Sequence, residues 1–137
     1  MYGQHLGFTT ISSPFGRRSS PAQGASTYHK GIDIAAYQGS NVLAIANGIV
    51  TFAGWNDSGG YMVIIQHENN VDSRYCHLGE KIFVTKGQKV YAGQVIGTVG
   101  PKYVSSGKLN GATNGVHLHL GIRVDGKFVN PLNVIKL

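Results

Sequence analysis

The segment that decides the fold lies near the end of the chain, where residues 116–129 read Val-His-Leu-His-Leu-Gly-Ile-Arg-Val-Asp-Gly-Lys-Phe-Val. In a strand, successive side chains point to opposite faces, so the leucines of this segment are expected to face a core and its two histidines to share the other face. Asp125-Gly126 supplies the positive φ values that a two-residue hairpin turn needs. The segment therefore predicts an antiparallel hairpin of two strands, Val116–Val124 and Lys127–Val129.

Five further strand-like stretches precede this hairpin, and turn-forming residues separate them. These stretches are Val42–Ala44, Gly48–Phe52, Tyr61–His67, Asp72–His77 and Gln94–Val99. No part of the chain shows the sustained 3.6-residue periodicity of a long helix. The pattern predicts a mostly all-β domain with a small antiparallel β-sheet core.

Length and composition agree with a single domain of this class. The 137 residues suit one compact domain, residues 1–137, and a hydrophobic content of 42% is enough for a core. Only 13% of residues are charged and 20 are glycine, which argues against helix bundles and coiled coils. Disorder is not expected, because apolar residues are spread along the whole chain.

Other features of the sequence limit the compartment and the partners. No apolar run approaches the roughly 20 residues that span a bilayer, and no signal peptide is visible, so we expect either no export by that route or one domain of a longer chain. Cys76 is the only cysteine, which excludes an internal disulfide and a cysteine-based zinc cage. The formal net charge of +6 suits a polyanion, whether nucleic acid, anionic lipid or an acidic wall polymer.

Two of the histidine patterns place metal-ligating groups close together. In His29-Lys30-Gly31-Ile32-Asp33, an imidazole and a carboxylate lie four positions apart, and Gly31 is expected to let the backbone turn tightly enough to aim both at one point. In His117-Leu118-His119, two imidazoles share one face of a strand. Such a pair is uncommon unless a metal or a shared proton holds it.

The third pattern is Tyr75-Cys76-His77. Strand alternation predicts that Tyr75 and His77 share one face and that Cys76 lies on the opposite face. Cys76 is then expected to be a small buried hydrophobic residue rather than a ligand or a nucleophile. Tyr75 is expected to be a packing aromatic residue.

Two histidines and one carboxylate with an open fourth position form a known kind of catalytic zinc site. Such a metal lowers the pKa of its bound water from about 15.7 toward about 7. Additional histidines could then take a proton from that water and stabilise the developing oxyanion. Together the patterns are typical of a catalytic zinc site, although a lone His-x-x-x-Asp pair would be interpreted as a loop histidine beside a turn-forming aspartate.

Two long loops are expected to have functional roles. Ser12–Tyr28 is rich in Pro, Ser and Gly and leads into His29, and Gly100–Gly115 is polar and leads into His117. Long structureless connections in small domains are usually functional or disordered. Because both loops end at a histidine, we interpret them as functional.

The ordered set of motifs resembles the LytM/lysostaphin-type zinc endopeptidases, which cut peptide bonds in bacterial peptidoglycan. The resemblance covers about residues 12–135. The matching motifs are Phe15-Gly16-Arg17-Arg18, His29-x-Gly31-x-Asp33, Tyr75-x-His77-Leu78, Lys86-Gly87-Gln88-x-Val90-x-x-Gly93-Gln94-x-Ile96-Gly97, His117-Leu118-His119, Asp125-Gly126-Lys127 and Asn130-Pro131-Leu132. Each motif alone is moderately specific, but the ordered set is highly specific.

The resemblance implies a role for each site residue. His29, Asp33 and His119 would bind one Zn²⁺ per chain, His117 would be the general base, and His77 would hydrogen-bond the activated water or the tetrahedral intermediate. It also implies a small antiparallel sheet whose loops wall an active-site groove, and peptidoglycan peptides as substrates. A monomer is expected, because nothing in the sequence suggests an obligate interface. The expected location is extracellular, at the cell wall or on a virion, since the parent could be a wall hydrolase or a phage lysin or tail protein.

This chain departs from the family pattern at two places. The family usually follows its His-x-His with Phe-Glu, where this chain has Leu120-Gly121, and the Gly100–Gly115 loop is longer than the family's short turn. Neither departure changes a ligand, so the expected consequence is for substrate fit. The bond cleaved, whether a glycine bridge or a D-Ala crosslink to a diamino acid, stays open.

The remaining histidines and arginines are expected to have no catalytic role. His67 ends a strand on the same face as Val63 and Ile65 and is interpreted as structural, His5 is assigned no role, and Arg17 and Arg18 are interpreted as loop residues.

Three other function classes compete with the peptidase. A non-catalytic wall-binding or activator module on the same fold would typically lack a metal ligand, whereas this chain keeps all three. A lipoyl, biotinyl or phosphocarrier domain is suggested by the hairpin-like 86–97 segment, but no modifiable lysine at a hairpin tip is found. Nucleic-acid binding is disfavoured, because the basic residues are scattered and not interleaved with stacking aromatics.

Overall fold

The computed structural model describes residues 6–17, 28–113 and 115–137. Antiparallel strands dominate it, as the sequence predicts, and the helical structure among the described residues is a single 3₁₀ turn at Pro131–Asn133. The strands are β1 (Ile11–Ser13), β2 (Gly16–Arg17), β3 (Tyr28–His29), β4 (Ile32–Ile34), β5 (Asn41–Leu43), β6 (Gly48–Asn56), β7 (Gly60–Gln66), β8 (Val71–Cys76), β9 (Lys89–Val90), β10 (Val95–Thr98), β11 (Leu118–Val124) and β12 (Lys127–Val129).

One eight-stranded antiparallel sheet forms the body of the domain. Its order is β1-β4-β11-β8-β7-β6-β9, and β12 pairs with β11 through the predicted hairpin. Two small two-stranded sheets, β5 with β10 and β2 with β3, complete the described part. The strand β11 therefore lies between β4 and β8, the strands that carry the other two histidine motifs.

The two faces of the main sheet differ in composition. One face is fully buried and includes Leu118, Leu120 and Ile122 from β11 and Val63 and Ile65 from β7. The small β5–β10 sheet joins this face through side chains of the same core cluster. The opposite face carries the alternate residues of the same strands and forms the floor of a groove.

Several strand boundaries differ from those predicted. The strand β6 continues to Asn56, β8 ends at Cys76 and β11 begins at Leu118. The backbone of His77 has a φ of 61° and leaves the strand conformation at that point. The strands β1–β4 and β9 were not predicted, because two or three residues are too short to show a period of two.

Candidate metal centre and groove

Three side chains from neighbouring elements converge on one point. Asp33 lies between Ile32 and Ile34, which are fully buried, so strand alternation turns its carboxylate to the groove face. In the sheet register Asp33 is directly opposite His119, and Asp33 Oδ1 lies 2.9 Å from His119 Nδ1. His29, at the end of β3, places its Nε2 3.2 Å from Asp33 Oδ1 and 3.0 Å from His119 Nδ1.

Gly31 permits this approach by its small size rather than by a left-handed backbone. A Cβ atom at Gly31 would overlap the carbonyl oxygen of Leu120 and would lie 2.9 Å from the His119 ring. Gly31 is absent from the positive-φ residues of the chain. The chain does bend at Lys30 and Gly31, as expected, but glycine is required there because of the close contact between the β3–β4 connection and β11.

Backbone carbonyls orient three of the imidazoles through their Nδ1 atoms. His29 Nδ1–H donates to Pro14 O at 2.9 Å, His77 Nδ1–H to Asn110 O at 2.6 Å, and His117 Nδ1–H to Gly115 O at 3.1 Å. Since a neutral imidazole carries one proton, Nε2 of each of these rings is left with a free lone pair. The bond from His29 to Pro14 also gives the described part of the Ser12–Tyr28 loop a role in the site.

His117 and His77 lie beside the three converging groups. His117 Nε2 is 3.4 Å from Asp33 Oδ1. The His77 ring centroid is 5.0 Å from that of His117 and 6.0 Å from that of His119. The structure thus brings all five predicted site residues together.

The electrostatics of the cluster centre on the carboxylate of Asp33 and on the buried rings of His119 and His77. Burial opposes ionisation of Asp33, but the surrounding imidazoles of His117, His119 and His29 outweigh it and hold the pKa of this carboxyl well below its usual range. Burial lowers the pKa of His119 despite its hydrogen bond to Asp33. Burial, followed by repulsion from His119 and His117, lowers the pKa of His77 to about 3.

The donor set of His29, Asp33 and His119 could hold a metal ion. Their ligand atoms all lie within 4.8 Å of one another. An ionised carboxylate oxygen and two imidazole nitrogens are a donor set that zinc accepts, and three protein ligands leave a coordination position for another molecule. The chemistry and the geometry of these groups therefore fit zinc.

The prediction that Tyr75 and His77 share one face is wrong, whereas the predicted opposite facing of Tyr75 and Cys76 is confirmed. Tyr75 is fully buried in the core, where its hydroxyl accepts from the Ile45 N–H at 3.0 Å and lies 2.8 Å from Ser73 Oγ. Cys76 and His77 both line the groove, because the positive φ of His77 interrupts the alternation. Cys76 is nevertheless buried, as predicted, and burial raises the pKa of its thiol to about 12.

Asn110 is a site residue that the sequence analysis missed. Its backbone carbonyl accepts the bond from His77. Its side chain accepts from Tyr61 N–H at 3.0 Å and donates to Leu78 O at 2.9 Å and to Pro101 O at 3.1 Å. Cβ atoms at Gly60 or Gly100 would collide with this side chain. The one available signal was the Asn110-Gly111 dipeptide inside a long loop.

The groove has a volume of about 330 Å³ and contains the converging site. Phe52, Met62 and Ile64 form an apolar part of its lining, and Ala112 contributes from the Gly100–Gly115 loop. The end near β12 is lined by Lys30, Arg74, Gly121 and Phe128.

The remaining predicted assignments concern His67, Arg17, Arg18 and His5. His67 is buried and lies 2.7 Å from both Asn47 O and Ser73 Oγ, which agrees with a structural role. Arg17 lies in the short strand β2, so its prediction as a loop residue is wrong. His5 and Arg18 lie outside the described residues.

Comparison with known proteins gives consistent matches. The model of the family described as peptidase family M23 matches residues 27–131. The DD-carboxypeptidase/endopeptidase Mpg of Neisseria meningitidis is 41% identical over 129 residues, which are 94% of this chain and 28% of Mpg. The murein hydrolase activator NlpD of Escherichia coli is 40% identical over 109 residues, which are 78% of this chain and 26% of NlpD.

A solved structure has the same fold. The zinc-containing peptidase from Vibrio cholerae superposes with a TM-score of 0.75 at 31% identity, covering 93% of this chain and 37% of that chain. The present chain therefore spans just over a quarter of the two curated relatives and just over a third of the solved one. No helix in the described ranges is long and apolar enough to cross a membrane.

Proposed function

The chain belongs to peptidase family M23, and from that membership we propose that it is a zinc-dependent endopeptidase that hydrolyses peptide bonds in the stem peptides or crosslinks of bacterial peptidoglycan. The observation that carries the proposal is the convergence of His29, Asp33 and His119, whose ligand atoms lie within 4.8 Å of one another. The proposed place of action is outside the cytoplasm, at the cell wall or on a virion.

His29 Nε2, Asp33 Oδ1 and His119 Nδ1 are the proposed ligands of one zinc ion per chain. When bound, zinc would supply Lewis-acid activation of a water molecule and of the substrate carbonyl. The hydrogen bond from His29 to Pro14 fixes the ring so that Nε2 is the ligating nitrogen.

His117 is the proposed general base. Its Nδ1–H is held by Gly115 O, and its Nε2 lies 3.4 Å from Asp33 Oδ1, so the free lone pair points at the proposed ligand cluster. There it can accept the proton of the attacking water and afterwards deliver it to the leaving amine. One proton thus moves from water to the new amino terminus.

His77 is the proposed partner of the attacking water and of the transition state. Its pKa of about 3 keeps the ring neutral at pH 7, and the short bond to Asn110 O keeps the proton on Nδ1. His77 Nε2 therefore first accepts a hydrogen bond from the water and orients it. After the attack, the former water oxygen still carries one hydrogen, so the neutral His77 Nε2 can keep accepting a hydrogen bond from that hydroxyl group in the tetrahedral intermediate.

A non-catalytic activator is the second candidate, and the identity with NlpD favours it. Against it stands the complete set of ligands and helper histidines at close distances. Membership of the M23 family leaves the carrier alternative without support.

The test is incubation of the zinc-loaded chain with purified peptidoglycans of both crosslink types, with and without a chelator. Mass spectrometry then locates new chain ends. We expect new amino and carboxyl termini that disappear with chelator and return with zinc, and their identity names the bond. Bound zinc without new termini on either substrate would support the activator instead.

Two variants separate metal binding from proton transfer. His117→Gln should bind one zinc and lose about 10²–10⁴-fold in rate, the usual worth of a general base. Asp33→Asn should lose both zinc and activity. Lys89→Gln, an exposed change on the distant strand β9, is the matched control. Full activity of His117→Gln would contradict the assigned base.

A further inference from the structure

The groove end near β12 carries a cluster of cations around one aromatic ring, here called the Phe128 cluster. Lys30 Nζ and the Arg74 guanidinium each lie 5.5 Å from the centroid of Phe128, and the Arg123 guanidinium lies 5.9 Å from it. Lys30, Arg74 and Phe128 also line the groove that contains the proposed zinc ligands. A positive region therefore borders the site.

The cluster has more positive charge than its carboxylate partner can neutralise. Within the described residues, Asp72 is the carboxylate that pairs with these cations. It accepts a hydrogen bond from Arg123 Nε at 2.9 Å and lies 2.8 Å from a terminal amino group of the same guanidinium. Arg74 contacts Asp72 through its Nε, which lies 3.2 Å from Asp72 Oδ1. Across the described ranges, no ion pair is formed by Lys30, so Lys30 and the terminal amino groups of Arg74 are available to an anion.

Gly121 leaves the space in which that anion would fit. It is the direct cross-strand partner of Arg74, and a Cβ placed on it would lie 3.4 Å from Lys30 O, 3.5 Å from the Phe128 ring and 3.8 Å from Arg74 Cβ. These are close to ordinary contact distances, so a side chain could occupy this place. The chain has instead only a hydrogen atom between its cations and the groove, at the position where the sequence departs from the Phe-Glu pattern.

We propose that Lys30 and Arg74, over Gly121, bind a carboxylate of the peptide substrate and so select anionic stem peptides. This inference rests on the proposed peptidase function. Gly121 follows His119 by two residues, which is ~7 Å along the strand. An extended peptide spans that distance with about two residues, so the recognised carboxylate lies about two residues from the bond cleaved. Its source is either the C-terminus of a stem peptide or the free carboxylate of a diamino acid.

The experiment uses four synthetic stem peptides in which each of these two carboxylates is left free or converted to a carboxamide. Binding is measured calorimetrically to the zinc-loaded His117→Gln chain, and kcat/KM is measured with the wild-type chain. We expect amidation of one carboxylate to weaken binding about tenfold, and the sensitive position identifies the source. Equal binding of all four peptides would overturn the proposal.

Variants of Arg74 and of Gly121 test whether the preference for a free carboxylate depends on charge. Arg74→Gln should remove most of the preference for the free carboxylate, and Arg74→Lys should restore part of it. Gly121→Glu should place a tethered carboxylate in the site and remove the preference, whereas Gly121→Gln, of the same size but neutral, should keep more of it. Lys89→Gln removes one positive charge far from the cluster and should leave the preference intact. An equal loss in Gly121→Glu and Gly121→Gln would contradict the proposal, and this pair still tests it if Arg74 variants do not fold.

Failure of this inference is distinguishable from failure of the peptidase assignment. Binding that discriminates between the peptides without any cleavage supports the carboxylate site and contradicts the peptidase. Cleavage of free and amidated peptides at equal rates supports the peptidase and contradicts the carboxylate site.

Discussion

Gly31 and His119 are in contact where only a hydrogen atom fits. The sequence analysis selected Gly31 for backbone freedom, but the structure requires it for closeness, since a methyl group would overlap Leu120 O and lie 2.9 Å from the His119 ring. A glycine in a motif thus indicates that a side chain is excluded at that position. The cause of the exclusion is a contact with residues far away in the sequence, which the motif itself does not reveal.

Gly31→Ala is therefore expected to displace β11 and with it the proposed ligand His119. Overpacking of this kind costs ~1–3 kcal/mol, and we expect zinc affinity to fall by about tenfold or more, as ~1.4 kcal/mol corresponds to tenfold. Competition with a chromogenic chelator measures the affinity. Gly97→Ala is the control, because its added Cβ meets only Leu78 Cδ1 at an ordinary 3.6 Å. Unchanged zinc affinity in Gly31→Ala would contradict this expectation, because it would show that β11 can accommodate the added methyl group without displacing His119.

At the same scale, the three histidine motifs and the resemblance that they carry predicted a group of five side chains that the structure does bring together, but the supporting partners of these side chains could not be predicted. Pro14 O, Asn110 O and Gly115 O are backbone atoms that orient imidazoles. A carbonyl group has no sequence signature, so these contacts depend entirely on the fold.

At the scale of elements, the Gly100–Gly115 loop is tied to the sheet by one side chain. Asn110 is fully buried and makes three hydrogen bonds to backbone groups of β7 and of two loops, while its own carbonyl holds His77. The loop therefore supports the site as well as contributing to its lining.

Asn110→Ala should destabilise the domain and slow the proposed reaction. Each buried backbone group left unpaired costs ~1–3 kcal/mol, so we expect a loss of about 3 kcal/mol in the free energy of unfolding. Chemical denaturation measures that loss, and kcat measures the effect on His77. Ser106→Ala, an exposed change in the same loop, should alter stability by less than ~0.5 kcal/mol. If Asn110→Ala kept the wild-type kcat, the Asn110 side chain would not be needed to position His77.

His67 connects β7 and β8 with the turn before β6, through Ser73 and Asn47. Burial lowers its pKa below the ordinary 6.5. Below pH 6.5 the unfolded chain therefore binds a proton that the folded chain does not bind, and stability falls as the pH falls toward the folded-state pKa.

We expect His67→Gln to flatten this dependence. The free energy of unfolding, measured in chelator from pH 5 to 7.5, should decrease less steeply below pH 6.5 in the variant than in the wild type. Chelator removes any contribution from metal release. Parallel curves for the two proteins would assign the acid sensitivity to other groups.

Element type was well predicted and element ends were not. The long strands β6, β7, β8 and β11 have a clear apolar pattern, whereas the end of β8 depends on the backbone conformation of His77, which strand alternation cannot reveal. That single φ places His77 on the face of Cys76 rather than on that of Tyr75. The short strands near the N-terminus depend on pairing with β11 and with each other.

For the whole molecule, one face of a single sheet makes the core and the other makes the site. The proposed zinc ligands come from β3, β4 and β11, which are distant in sequence, so an ion bound there would connect the two ends of the chain. Metal binding and folding stability are then coupled.

Free zinc is accordingly expected to raise the thermal and chemical stability of the chain. Beyond saturation each tenfold rise in free zinc should add ~1.4 kcal/mol to the free energy of unfolding. Asp33→Asn should remove this dependence, and Lys89→Gln should keep it. A stability independent of zinc in the wild type would contradict one bound ion per folded chain.

The anchoring of the long loop at Asn110 has a consequence for how the protein can diversify. Residues 103–109 form a small hairpin of their own, closed by the Val104 N–H to Lys108 O bond, and all of them except Val104 are exposed. None of them takes part in the hydrogen bonds of the Asn110 side chain or in the bond from His77 to the Asn110 carbonyl. Natural variation and library-based engineering can therefore remodel this tip, one surface after another, while the support of His77 stays the same.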